Sequence, residues 1–274
     1  MIDPLSPAQL DAYFARIGYA GRTAADLETL TALHRAHVLA IPFENLDVQL
    51  GTPPGLEQES IFAKLVEARR GGWCYEHNGL LGRALAALGF SVMRLSGGVL
   101  RELRGEQSMG SHLCLKVTLD GAPYLVDVGF GSTQIEPLPL AEQTWAAEPM
   151  TGRILRTQDG LWGFAIETGP TPISYDFPDA PADEGLLAEK CEWQGRDGES
   201  PFVQNLIVQQ RTPDGHLMLR GKVLTETGPD GSATRELTSQ EELVGVLRHV
   251  FALDVPEAAR LWSAIEERHA ALFS

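Results

Sequence analysis

Arg69-Arg70-Gly71-Gly72-Trp73-Cys74-Tyr75-Glu76-His77-Asn78 decides how the rest of this chain is read. The glycine pair breaks one helical pattern, Ser60 to Arg69. A cysteine opens the next, which runs to Leu88 with Gly89 beyond its end. The start of a helix has unpaired N–H groups and a positive dipole end, and both favour a thiolate. Arg70 adds positive charge if the chain turns sharply at the glycines. Cys74 is therefore a candidate nucleophile; the competing reading is a small buried apolar residue.

A nucleophilic thiol needs a base. Most of the seven histidines read as surface or helix-face residues. His77 lies one helical turn after Cys74, where a ring points along the surface and not at the sulfur. His112 is different, because it starts a strand. Leu113, Leu115, Val117 and Leu119 alternate there with His112, Cys114, Lys116 and Thr118. Asp120-Gly121 signals a hairpin, and Tyr124 to Val128 is the returning strand. A two-residue turn pairs Cys114 with Asp127 and His112 with Gly129. His112 and Asp127 are then diagonal neighbours on one face, roughly 5.5–8 Å apart at Cβ. A four-residue turn keeps them on one face; an odd-numbered one separates them. An aspartate in an apolar strand is costly unless paired, and the alternative is an edge position facing water. The constellation is thus Cys74 as nucleophile, His112 as base and Asp127 as its orienter, with backbone N–H groups at the helix start for an oxyanion.

Other readings of these residues stay open. Cys74-x-x-His77 and His112-x-Cys114 offer four zinc ligands at a weak spacing. Gly129-Phe130-Gly131 suits close approach of backbone to a ligand, or a plain turn. Glu44, in Pro42-Phe43-Glu44-Asn45-Leu46, pairs with Arg70 or sits in a surface loop. There is no P-loop and no dinucleotide-binding fingerprint.

Working outward, the first ninety residues read as helices. Ser6 to Gln9 forms a capping box for a helix over Pro7 to Ile17, and Thr23 caps a second helix that Pro42 stops. Residues 131–152 read as a long connection. Strands follow at 153–157, 161–167 and 189–194, with a proline-rich surface loop over 168–185. Residues 201–236 hold a strand pair or more around Pro213-Asp214-Gly215. Thr238 and Glu241 box the start of the next helix, and a last one runs from Pro256 to Leu272. This order gives an α+β chain with a helical lobe, a β lobe and a C-terminal α/β lobe.

Composition bounds the function. The 274 residues carry 22 Lys and Arg against 37 Asp and Glu, a net charge of −15, which argues against a general nucleic-acid binder. At 43% apolar content disorder is excluded, and no apolar run approaches the roughly 18–20 residues that span a bilayer. The N-terminal stretch has no leader-like pattern. Three cysteines, Cys74, Cys114 and Cys191, are too few for a disulfide framework, so the expected compartment is the cytoplasm.

Arg70-Gly71-Gly72-x-Cys74-x-Glu76-x-Asn78 resembles the nucleophile motif of the arylamine N-acetyltransferases. Pro42 to Leu46, Ser111-His112-Leu113, Asp127 to Gly131 and Ser200-Pro201-Phe202-Val203-Gln204-Asn205-Leu206 are similar to further segments of that family, in the same order. The length suits its bacterial members. The resemblance implies three regions with a papain- or transglutaminase-like catalytic core: a helical bundle (1–90) carrying the nucleophile, a β-barrel (91–200) carrying His112 and Asp127, and an α/β lid (201–274). It implies acetyl-CoA as donor, no metal, and ping-pong transfer through acetyl-Cys74 to an aromatic amine or hydrazine. Phe43, Phe130 and Phe202 would line the acceptor pocket, and Gly129 and Gly131 would lie near the donor. Arg70 and Glu44 would form a structural ion pair. No basic cluster stands out for the CoA phosphates, so a local cationic patch is expected. A cysteine hydrolase or amidase with the same triad, and a non-catalytic binding protein, are the alternatives.

Overall fold

A computed structural model describes residues 2–131, 134–167 and 173–273. The N-terminal part is helical: α1 (Pro7–Ile17), α2 (Leu27–Ala40), the short strand β1 (Phe43–Glu44), α3 (Leu46–Gln49), α4 (Gln58–Phe62) and α5 (Cys74–Ala87). The Ser6/Gln9 box forms as expected, with Ser6 N donating to Gln9 Oε1 at 3.0 Å. The cap of α2 is Asp26 and not Thr23: its extended backbone brings Oδ1 to 2.9 Å from Thr29 N. Ile41, ahead of Pro42, is extended and ends that helix. The helix expected from Ser60 to Arg69 starts earlier and widens into a π turn, Ala63–Glu67, before Arg69 takes a φ of 54°. Gly89, at φ 85°, closes α5 as Phe90 N bonds Leu85 O at 3.1 Å.

The middle of the chain is one eight-stranded antiparallel sheet. It comprises β2 (Ser91–Val99), then past a short helix α6 (Arg101–Arg104) β3 (His112–Leu119), β4 (Ala122–Val126), β5 (Leu138–Pro139), β6 (Gln143–Ala147), β7 (Met150–Arg156), β8 (Trp162–Ile166) and β9 (Ile173–Phe177). Asp120 and Gly121 take φ of 49° and 82°, a two-residue primed turn, and Leu119 pairs with Ala122 and Leu115 with Val126. In the sheet order β5-β4-β3-β2-β9-β8-β7-β6, the first and last strands are joined by only three residues, 140–142. Such a link spans at most about 14 Å, so the sheet must curl until its two edges approach. Its interior is filled by Leu95, Leu125, Trp145, Phe164, Tyr175 and Phe177 among others.

Three readings of this region need correction. Residues 131–152 are not a plain connection but hold β5, β6 and the start of β7, and the expected loop over 168–185 contains β9. The proline-rich part at 168–172 lies outside the described residues. Residues 189–194 are not a strand: they lie in α7 (Glu184–Arg196), which Asp183 caps and which buries Leu187, Cys191 and Gln194 at helical spacing.

After α8 (Pro201–Gln204) come β10 (Ile207–Thr212), β11 (Gly215–Arg220), β12 (Val223–Gly228), β13 (Gly231–Glu236), α9 (Gln240–His249) and α10 (Trp262–Phe273). The cap of α9 is Ser239, one residue after the expected Thr238; Thr238 N donates to Glu242 Oε2 at 2.8 Å instead. The sheet order is β1-β10-β11-β12-β13, so Phe43 and Glu44 pair with Gln209 and Val208 and tie the bundle to the C-terminal lobe.

Four of the histidines expected mainly at the surface are buried, His34, His37, His77 and His216, as is the candidate base His112. Burial pushes the pKa of His34, His77 and His216 down to about 4, and that of His37 well below its ordinary 6.5. Each is neutral when folded and protonates more readily when unfolded. The stability they contribute is therefore complete above about pH 6.5 and drains as pH falls toward their folded values. Tm should fall steeply between pH 6.5 and 4, and His34→Leu should flatten that slope by about one proton's worth. An unchanged slope of Tm against pH in the variant would contradict this.

Candidate active site

Cys74 sits at the first position of α5, in a turn that only glycines permit. A Cβ on Gly71 would lie 2.2 Å from Pro42 O, and one on Gly72 2.6 Å from Glu76 Oε2. Gly72 bridges to β1: Glu44 N donates to Gly72 O at 2.8 Å. A partly buried ionic network braces the turn. Arg70 Nη2 lies 2.8 Å from both Glu44 Oε1 and Asp47 Oδ1, while Lys64 Nζ lies 2.7 Å from Asp47 and 2.9 Å from Glu76. Arg70 thus spends its charge on these carboxylates and not on the thiol. Burial lifts Glu76 to about 7 although Lys64 pulls it down.

The hairpin brings His112 and Asp127 together. The ladder ends at Leu115–Val126, Asp127 leaves the strand, and its Oδ2 lies 2.7 Å from His112 Nε2. Cys74 acts electrostatically on the same imidazole, whose Nε2 is already committed to Asp127. Burial disfavours the imidazolium, but the charges of Asp127 and Cys74 outweigh it and push His112 up to about 10. Burial likewise disfavours ionised Asp127, yet His112, Asn78 Nδ2 at 2.8 Å and Gly129 N at 2.9 Å hold its carboxyl below the usual range. The arrangement is that of a thiol–imidazole pair with an orienting carboxylate.

Two further contributors have no role assigned from the sequence. Asn78 bonds Leu113 O at 2.7 Å and Asp127, and accepts from Val128 N at 3.1 Å, so α5 carries both the thiol and the clamp on the carboxylate. Its place one turn after Cys74 was a usable signal. Tyr175 donates to Asp127 Oδ2 at 2.8 Å, and its ring centroid lies 4.4 Å from that of His112. It comes from β9, in a stretch whose prolines predict a loop, so nothing in the sequence points to it.

The candidate pocket residues divide into two groups. Phe43 and Phe202 lie 6.1 Å apart by ring centroid, with Trp73 5.8 Å from Phe202, in the cluster that contains Cys74. Phe130 packs edge-on to His112 at 5.0 Å. Gly129 is where backbones meet: a Cβ there would be 2.6 Å from Cys74 Cα. Gly131 takes a φ of 63° beside Gln209. His77 turns away from Cys74: Nδ1 meets His37 at 2.9 Å and Nε2 meets Pro42 O at 3.2 Å, which uses both nitrogens a metal would need. Burial drives the pKa of Cys114 and Cys191 up, so both remain thiols.

Residues 26–260 match a family model described as N-acetyltransferase. The arylamine N-acetyltransferase of Mycolicibacterium smegmatis is 38% identical over 259 residues, covering 91% of this chain and 94% of the relative. Arylamine N-acetyltransferase 2 of Mus musculus is 40% identical, covering 90% and 94%. Among solved structures, the Mycobacterium marinum arylamine N-acetyltransferase in complex with CoA superposes with a TM-score of 0.85 at 32% identity, over 94% of this chain and 98% of that one. With these matches running through both lobes and the site, the chain belongs to the arylamine N-acetyltransferase family, alongside its bacterial members.

Proposed function

We propose that this chain transfers acetyl from acetyl-CoA to aromatic amines or hydrazines through acetyl-Cys74. The observation that carries the reading is the Cys74–His112–Asp127 arrangement within a chain of this family. His112 holds the thiol proton as imidazolium, which the ionised Asp127 stabilises. The Cys74 thiolate attacks the thioester carbonyl, with N–H groups of the first turn of α5 as donors for the oxyanion. The bond from carbonyl carbon to CoA sulfur breaks, and CoA leaves with the proton from His112. The acceptor nitrogen then attacks acetyl-Cys74, His112 takes its proton, and Cys74 departs as thiolate. The first exchange replaces one thioester by another; the second makes the more stable amide and sets the direction.

Phe43, Phe202 and Phe130 flank the thiol and imidazole with apolar surface that suits an aromatic acceptor and disfavours water. No observation favours the hydrolase or the non-catalytic alternative. Gly129 and Gly131 keep the turn beside Cys74 clear of side chains on the donor's path. A cleft of about 470 Å³ borders Ser111 and Pro201, the chain neighbours of His112 and Phe202, and holds Arg104, Lys190 and Trp193. In a chain of net charge −15, the two cations of this cleft against its one lining carboxylate, Glu199, make it a local cationic surface that suits CoA phosphates. The cysteines are all free thiols, which supports a cytoplasmic location.

Intact mass measurement with acetyl-CoA alone should show a gain of about 42 Da that is absent in Cys74→Ala, retained in Cys114→Ala and discharged by an aromatic amine. No gain and no CoA release, even with amine present, would sink the reading. Tyr175→Phe should lower kcat/KM about tenfold while Cys74 still acetylates, the loss expected for one hydrogen bond to a charged group. Undiminished kcat/KM would remove Tyr175 from the site. Arg104→Glu with Lys190→Glu should raise KM for acetyl-CoA and weaken its dependence on salt. If both stay as in the wild type, the donor's phosphates lie elsewhere.

A further inference from the structure

A second cleft, of about 220 Å³, opens between α2, β6 and the turn after β10, and the reaction above makes no use of it. Its lining includes Arg35, Gln134, Glu136, Trp145, Arg211 and Pro213. Three buried polar atoms of these residues have no hydrogen-bond partner: Gln134 Oε1, Trp145 Nε1 and Arg211 Nε. Arg211 is only 2% exposed. The rest of its guanidinium meets carbonyl oxygens, of Gly215, Ala147 and Glu148, and among the described residues no carboxylate forms an ion pair with it. Burial and the nearby Arg35 both push its pKa down, and the charge of Glu148 offsets only part of that. A buried cation left without an anion, beside unpaired N–H donors and an open cleft, is a costly arrangement in water.

We propose that this cleft binds a compact phosphate group, seated on Arg211 Nε, Trp145 Nε1 and Arg35, with a protonated phosphate oxygen donating to Gln134 Oε1. The orientation of Gln134 is fixed, because its Nε2 donates to Leu125 O and Glu136 O at 2.9 Å each. Besides the exposed Glu136 carboxylate that pairs with Arg35, the cleft therefore offers several donors and one fixed, uncharged acceptor. Hydrogen phosphate supplies acceptor oxygens together with one hydroxyl, whereas a carboxylate has no proton for Gln134. Arg35 is available for it: its only carboxylate partner among the described residues is Glu136, at 3.6 Å in an exposed pair that phosphate can displace. The seat draws on all three parts of the fold, with Arg35 from α2, Trp145 from β6 and Arg211 from β10. Gln134 follows the turn that carries Asp127, so a bound phosphate would link the lobes behind the catalytic loop.

Isothermal titration of the full chain with inorganic phosphate, against sodium chloride at matched ionic strength, tests this. One saturable site is expected, weakened about tenfold or more in Arg35→Gln and in Trp145→Phe, with acetate at least about tenfold weaker than phosphate. These two variants carry the test because Arg211 also holds three carbonyls together. Acetylation of Cys74 by acetyl-CoA should be unchanged in Arg35→Gln, which separates this seat from the donor's cleft. Glycerol phosphate, titrated in parallel, tells a phosphate monoester from free phosphate as the natural occupant. Absence of saturable binding, affinity undiminished in both variants, or acetate binding as tightly as phosphate would each overturn the proposal.

Discussion

The structure depends on one buried carboxylate. Asp127 is almost wholly out of water, and a buried charge is tolerated only when fully paired. Each of its oxygens receives two donors. Oδ1 takes Asn78 Nδ2 and Gly129 N, and Oδ2 takes His112 and Tyr175. These come from α5, from its own loop, from β3 and from β9. Satisfying Asp127 therefore fixes how the helical bundle sits on the barrel, and it does so at the place where the thiol must meet the imidazole. The same contacts that make the charge affordable in the interior give the imidazole its orientation.

What the sequence made legible follows from range. Local signals read well: the Ser6 box, the α5 start at Cys74, and the Asp120-Gly121 turn, whose two-residue length put His112 and Asp127 on one face. Signals that depend on distant packing read poorly. β5 and β9 are short and lie in stretches rich in proline, so their pairing is decided by neighbouring strands and not by their own pattern. The cap positions of α2 and α9 slipped because nearby Ser, Thr and Asp compete for the same role, and backbone geometry chooses among them. Burial of the helical histidines His34, His37 and His77 was invisible for a similar reason: a polar residue on a helix face is enclosed only when the opposing element is in place.

Charge is handled differently on the two sides of the nucleophile turn. On one side Glu44, Asp47, Lys64, Arg70 and Glu76 form an ionic network, three acids and two bases, around the glycine pair, with Glu76 lifted by burial to about 7. Its members compensate one another, so it braces the backbone without presenting a large net charge to Cys74. Because β1 also extends the C-terminal sheet, this bracing reaches the lobe that carries Phe202 and Arg211.

On the other side the bracing is neutral, and its direction can be worked out. Pro42 O only accepts, so His77 must donate from Nε2. Burial keeps His77 neutral, which leaves Nδ1 as an acceptor for His37 Nε2–H at 2.9 Å. His37 is neutral for the same reason, so its Nδ1 accepts from Tyr13 O–H at 2.8 Å, and burial drives the Tyr13 pKa up and keeps that proton in place. The string from α1 through α2 and α5 to Pro42 thus has one sense only. Reversing it would leave the Pro42 end with two facing acceptors. It positions the segment that carries Phe43, whose ring stacks on His77, without placing a charge one helical turn from the thiol. A lysine or arginine in that role would stabilise the Cys74 thiolate but would compete with His112 for it, and the imidazolium would lose part of its hold on the proton that the acetyl transfer must move.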